Sequence, residues 1–179
     1  MTRTAFAGLA ILAAAATAGA VQQPAGPPGA IRTSEVAAVR VHHVPIPWGP
    51  ETFAEMERGG ESYYNRRSWP FARLETQAPL TLDGTLVPPG NYALVFHPND
   101  AERKGMSLEV RRIEVPEFLQ PGNALTTTPE GTTVYEVPVA FETVPDTVST
   151  LAVSLEEGDE AALLVVRYGN RRLTKELKR

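Results

Sequence analysis

Hydrophobic residues recur at every second position in several segments of the chain. This alternation is present at residues 39–41, 92–96, 108–110, 135–141 and 151–155. A period of two is typical of a strand with one buried and one exposed face. The pattern predicts an all-β domain, an antiparallel β-sandwich or a flattened barrel of about eight or nine strands.

Turn-forming residues stand between these segments. Asp83-Gly84 predicts a two-residue hairpin with a type I′ turn, because glycine accepts a positive φ. Gly169-Asn170 predicts a turn that leads into the last strand. Pro138 lies inside a good strand pattern, and because it cannot donate a ladder hydrogen bond, it predicts an edge strand or a bulge.

One short helix is predicted near residues 50–58. Pro50 suits the first helical position, where no amide donor is needed, and Glu51 places a negative charge at the helix start. Gly59-Gly60 offers a left-handed exit that would end the helix.

The N-terminus has the layout of a secretory signal. Arg3 precedes an apolar run over residues 5–16, and the small residues up to Ala20 suit a signal peptidase. The run is too short and too rich in alanine for the ~20 apolar residues that a membrane-spanning helix needs. We therefore expect residues 1–20 to be a cleaved signal peptide and the protein to be exported, to the periplasm or outside the cell.

Composition bounds the remainder of the chain. With 179 residues, 42% of them hydrophobic and 21% charged, it is long enough for one ordinary globular domain. Residues 21–34 are predicted to be a Pro/Gly-rich flexible leader, and residues 35–179 a single β-sandwich domain. A net charge of −4 gives no reason to expect a nucleic acid as partner. The absence of cysteine excludes disulfides, thiolate metal sites and a cysteine nucleophile.

The segment 48–71 is unusually rich in aromatic and arginine side chains for a connection between strands. In one interpretation it is a binding surface, on which aromatic faces stack and arginines contact carboxylate or phosphate. In the other, its aromatics form a lid that closes one end of the sandwich. The candidate binding residues are Trp48, Tyr63, Tyr64, Arg66, Arg67 and Trp69.

The signals for catalysis and for metal binding are weak. His42, His43 and His97 are the only histidines, and the first two should point to opposite faces of a strand. They are weak metal candidates, and no cofactor motif is present, so we predict no metal or cofactor. If the chain were an enzyme, the polar groups to consider would be His42 or His43, His97, Glu75 and Asp100.

Residues 78–94, APLTLDGTLVPPGNYAL, resemble the central signature of a bacterial exported family, domain of unknown function 2911. In that family a strand, a short glycine turn and a Gly-x-Tyr-x-Leu step follow one another. The family usually has a Trp-Arg-x-Gly-Ala-Asn-Glu run upstream, whereas here Trp69 is followed by Pro-Phe-Ala-Arg. The resemblance implies an exported β-rich domain and implies no activity.

Three functional hypotheses follow. The first is an exported, non-enzymatic module that binds a small molecule, a glycan or an envelope protein through residues 48–71. The second is a hydrolase or lyase that acts on a cell-envelope substrate. The third is a structural or assembly subunit that pairs through a strand edge near Pro138 or through the C-terminal strand.

Overall fold

The computed structural model describes residues 30–58, 68–98, 105–114, 128–158 and 161–178. The predicted signal peptide and most of the predicted leader, residues 1–29, lie outside this range. The described elements, in chain order, are β1 (Arg32–Val36), β2 (Val39–His43), α1 (Pro50–Arg58), β3 (Trp69–Thr76), β4 (Leu80–Leu82), β5 (Thr85–Val87), β6 (Gly90–Pro98), β7 (Met106–Arg112), β8 (Thr132–Val139), β9 (Glu142–Glu157) and β10 (Ala161–Lys178).

The described strands form two antiparallel sheets, as expected for a β-sandwich. One sheet has six strands in the order β1-β2-β3-β6-β7-β8, and the other has four in the order β5-β4-β10-β9. The sheets approach each other along two edges, where β9 contacts β1 and β2, and where β5 contacts β8. The sandwich prediction is confirmed, and the alternative of a single closed sheet is not what the chain adopts.

The core lies between the sheets and is filled by alternate residues of the strands. In β2, Val39 and Val41 are completely buried, whereas Arg40 between them is not. Tyr92 and Phe96 of β6 and Phe71 of β3 are the largest fully buried side chains of the six-stranded sheet. The period of two in the sequence therefore identifies the inward face correctly.

The hairpin predicted at Asp83-Gly84 is present. It joins β4 to β5, with Leu82 paired to Thr85 across the turn. Asp83 has φ 45° and Gly84 has φ 84°. Positive φ at both central residues is the signature of a type I′ turn, which matches the twist of the flanking strands.

The predicted turn at Gly169-Asn170 is wrong. β10 continues through these residues, and Gly169, with φ 61°, lies opposite Val148 of β9. The pairing register shifts on both sides of Gly169. Glycine here absorbs an irregularity in the ladder rather than reversing the chain, which is the other use of a positive φ inside a strand.

The strand count also differs, with ten described strands instead of about eight or nine. The sequence pattern missed β1, whose first residues were assigned to the leader, and β3. The pairing of β3 with β6 shifts between Pro70 and Ala72, which gives three consecutive buried residues in place of simple alternation. Trp69 and Phe71 consequently belong to a central strand and not to a loop.

The predicted helix is confirmed as α1, and its first hydrogen bond runs from the Phe53 N–H to the Gly49 carbonyl at 3.0 Å. The exit glycines 59 and 60 lie outside the described residues. None of the helical structure that can be described is long and apolar enough to cross a membrane.

Candidate functional site

A short segment, residues 44–49, links β2 to α1 and runs along the side of β9 that is not paired with β10. We call it the strap. The Leu151 N–H donates to the Ile46 carbonyl at 2.7 Å, and the Trp48 N–H donates to the Ser149 carbonyl at 2.9 Å. These two bonds fix the strap to β9 and determine where Trp48 emerges.

Trp48 packs its indole against β10. The ring lies edge-on to Tyr168, with 4.6 Å between centroids. The adjacent Gly169 has no side chain, and the indole occupies the space that a Cβ would need. Trp48 is partly buried and packs on the main core.

The Tyr168 hydroxyl secures the strap a second time. It donates to the Pro47 carbonyl at 2.6 Å and accepts the Gly49 N–H at 3.2 Å. Burial raises the pKa of the Tyr168 phenol above its ordinary value, which keeps the hydroxyl protonated and able to donate.

Trp69 enters the same cluster from β3. Its ring centroid lies 5.7 Å from Tyr168 and 6.0 Å from Phe96. Phe96 is itself stacked on Phe71 at 4.1 Å and an interplanar angle of 8°. Like Trp48, Trp69 is partly buried. Trp48 reaches Tyr168 from the strap and Trp69 reaches it from β3, and each tryptophan stays partly exposed.

Helix α1 covers the neighbouring part of this end. Phe53 is buried, 5.6 Å from Trp48 and 5.0 Å from Phe141. Arg171 of β10 donates to the Glu57 carboxylate at 3.0 Å and lies 5.9 Å from the Phe53 ring centroid. A polar pair thus borders the aromatic residues. We call the cluster of aromatic side chains the aromatic end. Its members are Trp48, Phe53, Trp69, Phe71, Phe96, Phe141 and Tyr168.

The structure brings together two of the predicted binding residues, Trp48 and Trp69. The other four, Tyr63, Tyr64, Arg66 and Arg67, lie outside the described residues. Sequence reasoning missed Tyr168, the ring that both tryptophans contact. The only local signal was an aromatic residue directly before a glycine inside a strand, and this was interpreted as the approach to a turn.

The adjacent histidines point to opposite faces, as predicted. His42 lies on the outer face, with Nδ1 2.8 Å from the Thr33 hydroxyl and Nε2 3.3 Å from a Glu75 carboxylate oxygen. Partial burial, followed by the charge of Arg73, lowers the pKa of His42, so the ring is neutral near pH 7. His43 points inward and is 1% exposed.

The three histidines do not converge. Nε2 of His97 pairs with Glu136 at 3.4 Å, away from both others, and Asp100 lies outside the described residues. Within the described part of the chain, no three histidine, aspartate or glutamate side chains are placed to hold a metal ion. Of the described polar groups considered for catalysis, His42 and Glu75 are the pair that meet.

The two strand edges considered for assembly have different outcomes. β8, which contains Pro138, ends the six-stranded sheet, so the edge predicted from this proline is confirmed. The C-terminal strand β10 lies between β4 and β9, and is not an edge of its sheet.

Comparison with known proteins finds no family model, no curated protein and no solved structure that matches this chain.

Proposed function

We propose that the chain is an exported, non-enzymatic binding module whose ligand is held against the aromatic end. The observation that carries this proposal is the position of Trp48 and Trp69, which are both partly exposed and both in contact with Tyr168. Two indoles that share one supporting ring can offer apolar faces without losing their packing on the core. Such side chains contribute large contact areas with little loss of rotamer freedom.

The chemistry at this end favours a ligand with a flat apolar face and hydroxyl groups at its rim, such as the pyranose rings of a glycan. Indole faces stack on the C–H face of a sugar. The Arg171–Glu57 pair, which borders Phe53, supplies charged donors and acceptors at the edge of the same surface. The export signal proposed for residues 1–20 would place the module where envelope glycans are present.

The support of Trp48 is rigid. Trp48 is fixed by the Ser149 carbonyl through its backbone and by Gly169 through its ring. A contact residue that is already ordered loses less conformational entropy when it binds, so more of the contact energy remains as affinity.

Tryptophan emission tests this proposal directly. Maltohexaose, cellohexaose and chitohexaose are titrated in turn into the mature protein, and at least one should shift or quench the emission. Trp69→Phe and Trp48→Phe should each weaken that binding by about 2- to 10-fold, the range for loss of an aromatic contact. Leu86→Ala is the control, since Leu86 is 62% exposed on β5 and should bind as wild type does. The proposal fails if no hexasaccharide changes the emission at millimolar concentration, or if the tryptophan variants bind like wild type.

A second candidate, a hydrolase or lyase, is favoured by the chain of groups Thr33, His42 and Glu75. A neutral imidazole between a hydroxyl and a carboxylate can accept and pass on a proton. Hydrolysis of p-nitrophenyl acetate tests it. Turnover above the buffer rate that His42→Gln removes would support this candidate over the first, and a rate equal to buffer would count against it.

A further inference from the structure

A buried histidine stands where the strap leaves β2. His43 is the last residue of β2, and its side chain is inserted between the two sheets. Its Nε2 atom lies 3.4 Å from the Val153 amide nitrogen of β9. Further along β9, toward residue 149, two backbone hydrogen bonds follow. One runs from the Leu151 N–H to the Ile46 carbonyl, and the other from the Trp48 N–H to the Ser149 carbonyl. His43 thus lies between the Ser34 contact with Leu155 and the two backbone bonds that hold the strap.

Where strands β1 and β2 meet β9, the contact is made largely by side chains. We call this contact the seam. Ser34 of β1 accepts the Leu155 N–H at 2.9 Å, and His43 of β2 occupies the same role for Val153. In the described residues this side of β9 carries no regular strand ladder at 152–155, so the imidazole takes the place of a backbone carbonyl. A side chain that replaces a backbone acceptor makes the seam dependent on its protonation state.

We propose that His43 is an acid-sensitive latch that holds the strap, and with it Trp48, against β9. A neutral imidazole can accept the Val153 N–H at Nε2. An imidazolium carries a proton on both nitrogens, so it can no longer accept that bond, and it leaves a charge between the sheets. Its other nitrogen, Nδ1, has no hydrogen-bond partner among the described residues, and the Leu151 carbonyl beside the ring offsets the cost of the charge only weakly.

The groups that face His43 oppose its protonation. Arg32, its register partner on β1, is positively charged, and its Nε is buried without a partner among the described residues. Ala72, opposite on β3, and Leu151 and Val153 on β9 carry no charge. Burial first, and the Arg32 charge second, lower the pKa of His43 to about 4, while the Leu151 carbonyl opposes the shift as the weakest of the three influences.

The direction of the pH effect follows from this lowering. A released strap would expose His43 to water and return its pKa toward the ordinary 6.5. The closed state then binds a proton less readily than the released state, so closure is favoured above pH 6.5 and weakens as the pH falls toward about 4. The difference between the two values corresponds to a shift toward the released strap of about 150-fold at the lower value and about 300-fold well below it.

Release of the strap is independent of any ligand, whereas its role in controlling binding at the aromatic end depends on the proposed function. The test therefore uses no ligand. In a Trp69→Phe background Trp48 is the single tryptophan, and its emission and acrylamide quenching are followed from pH 7.5 to 3.5, together with far-UV circular dichroism. We expect a reversible red shift and stronger quenching below about pH 6, with the sheet signal retained.

Two matched variants assign the response to one imidazole. His43→Gln keeps an amide oxygen that can accept the Val153 N–H and does not titrate, so it should remove the pH response. His42→Gln, on the neighbouring residue and the opposite face, should leave the response intact. A response that persists in His43→Gln, that disappears in His42→Gln, or that coincides with loss of the sheet signal would overturn the latch.

A direct titration decides the matter if His43→Gln does not fold. The Cε1–H resonance of His43 and the indole N–H resonance of Trp48 are followed by NMR in the otherwise unaltered domain. The latch predicts that the two resonances change together, well below pH 6.5. Titration of His43 near 6.5, or a Trp48 resonance that ignores it, would contradict the latch. None of these outcomes depends on whether a hexasaccharide binds.

Discussion

Gly169 and Trp48 are matched to each other across the strap and β10. A Cβ built on Gly169 would lie 2.1 Å from Cε2 of the Trp48 indole, a distance that no real side chain adopts. Glycine at 169 therefore serves two purposes, since it also has a φ of 61°. The same residue forms the irregularity in β10 and the notch that receives the tryptophan.

Gly169→Ala should consequently destabilise the domain more than an ordinary glycine substitution. The positive φ costs about 1 kcal/mol, and forcing the indole out of the notch adds roughly 1–3 kcal/mol. Urea denaturation measures the loss. Gly84→Ala is the control, because Gly84 also has a positive φ, 84°, but nothing lies within 4 Å of its added Cβ. It should lose only the first contribution and leave Trp48 emission unchanged. Equal losses in the two variants would show that the notch does not matter.

The Asp83 side chain links the two sheets. We predict that its carboxylate makes a small contribution to the free energy of unfolding, and that this contribution is lost in acid. Its carboxylate accepts hydrogen bonds from Lys175 of β10 at 2.8 Å and from the Tyr135 hydroxyl of β8 at 2.5 Å. These bonds, that from Lys175 first, lower the pKa of Asp83 below 3.8. A lowered carboxyl pKa stabilises the fold above pH 3.8, and this contribution is lost as the pH falls through the lower folded-state value.

Asp83→Asn tests this contribution without disturbing the hairpin, because Asn-Gly is also a strong type I′ sequence. At pH 7 the variant should lose less than about 1 kcal/mol, since the Asp83 side chain is 47% exposed and its ion pair is screened by solvent. The difference from wild type should vanish near pH 2. Glu176→Gln, on the same strand as Lys175 and in an exposed ion pair with Lys178, should show no such difference at either pH. A loss in Asp83→Asn that is the same at both pH values would refute the assignment.

The parts of the fold that local chemistry determines could be predicted from the sequence. Asp83-Gly84 forms a type I′ hairpin because two adjacent residues adopt positive φ, and Pro138 lies on an edge because it lacks a donor. Both statements concern one residue and its own backbone. The start of α1 at Pro50 is of the same kind.

The contacts that create the aromatic end could not be predicted in this way. Tyr168 bonds to Pro47 across 121 positions of the chain, and no pattern within a window of ten or twenty residues encodes that pairing. Gly169 was misread for a related reason. A glycine before a polar residue is typical of a turn, and only the tryptophan that packs on it, from far away in sequence, shows why it is retained within a strand.

Tyr168→Phe separates the role of the hydroxyl from that of the ring. The phenyl ring should keep its contacts with both tryptophans, while the Pro47 carbonyl and the Gly49 N–H lose their common partner. We expect a loss of about 0.5–1.5 kcal/mol in the free energy of unfolding, the usual net contribution of a hydrogen bond, because Pro47 is exposed and Gly49 is partly exposed, so water can replace the lost partner. Trp48 should also become more accessible to acrylamide, because the strap is held less firmly.

Tyr92→Phe provides the control. It removes a comparable hydroxyl bond, to the Pro88 carbonyl at 2.5 Å, at a site remote from the strap in sequence. That variant should lose stability without a change in Trp48 quenching. If the two variants expose Trp48 equally, or if Tyr168→Phe leaves it unaffected, the hydroxyl does not hold the strap.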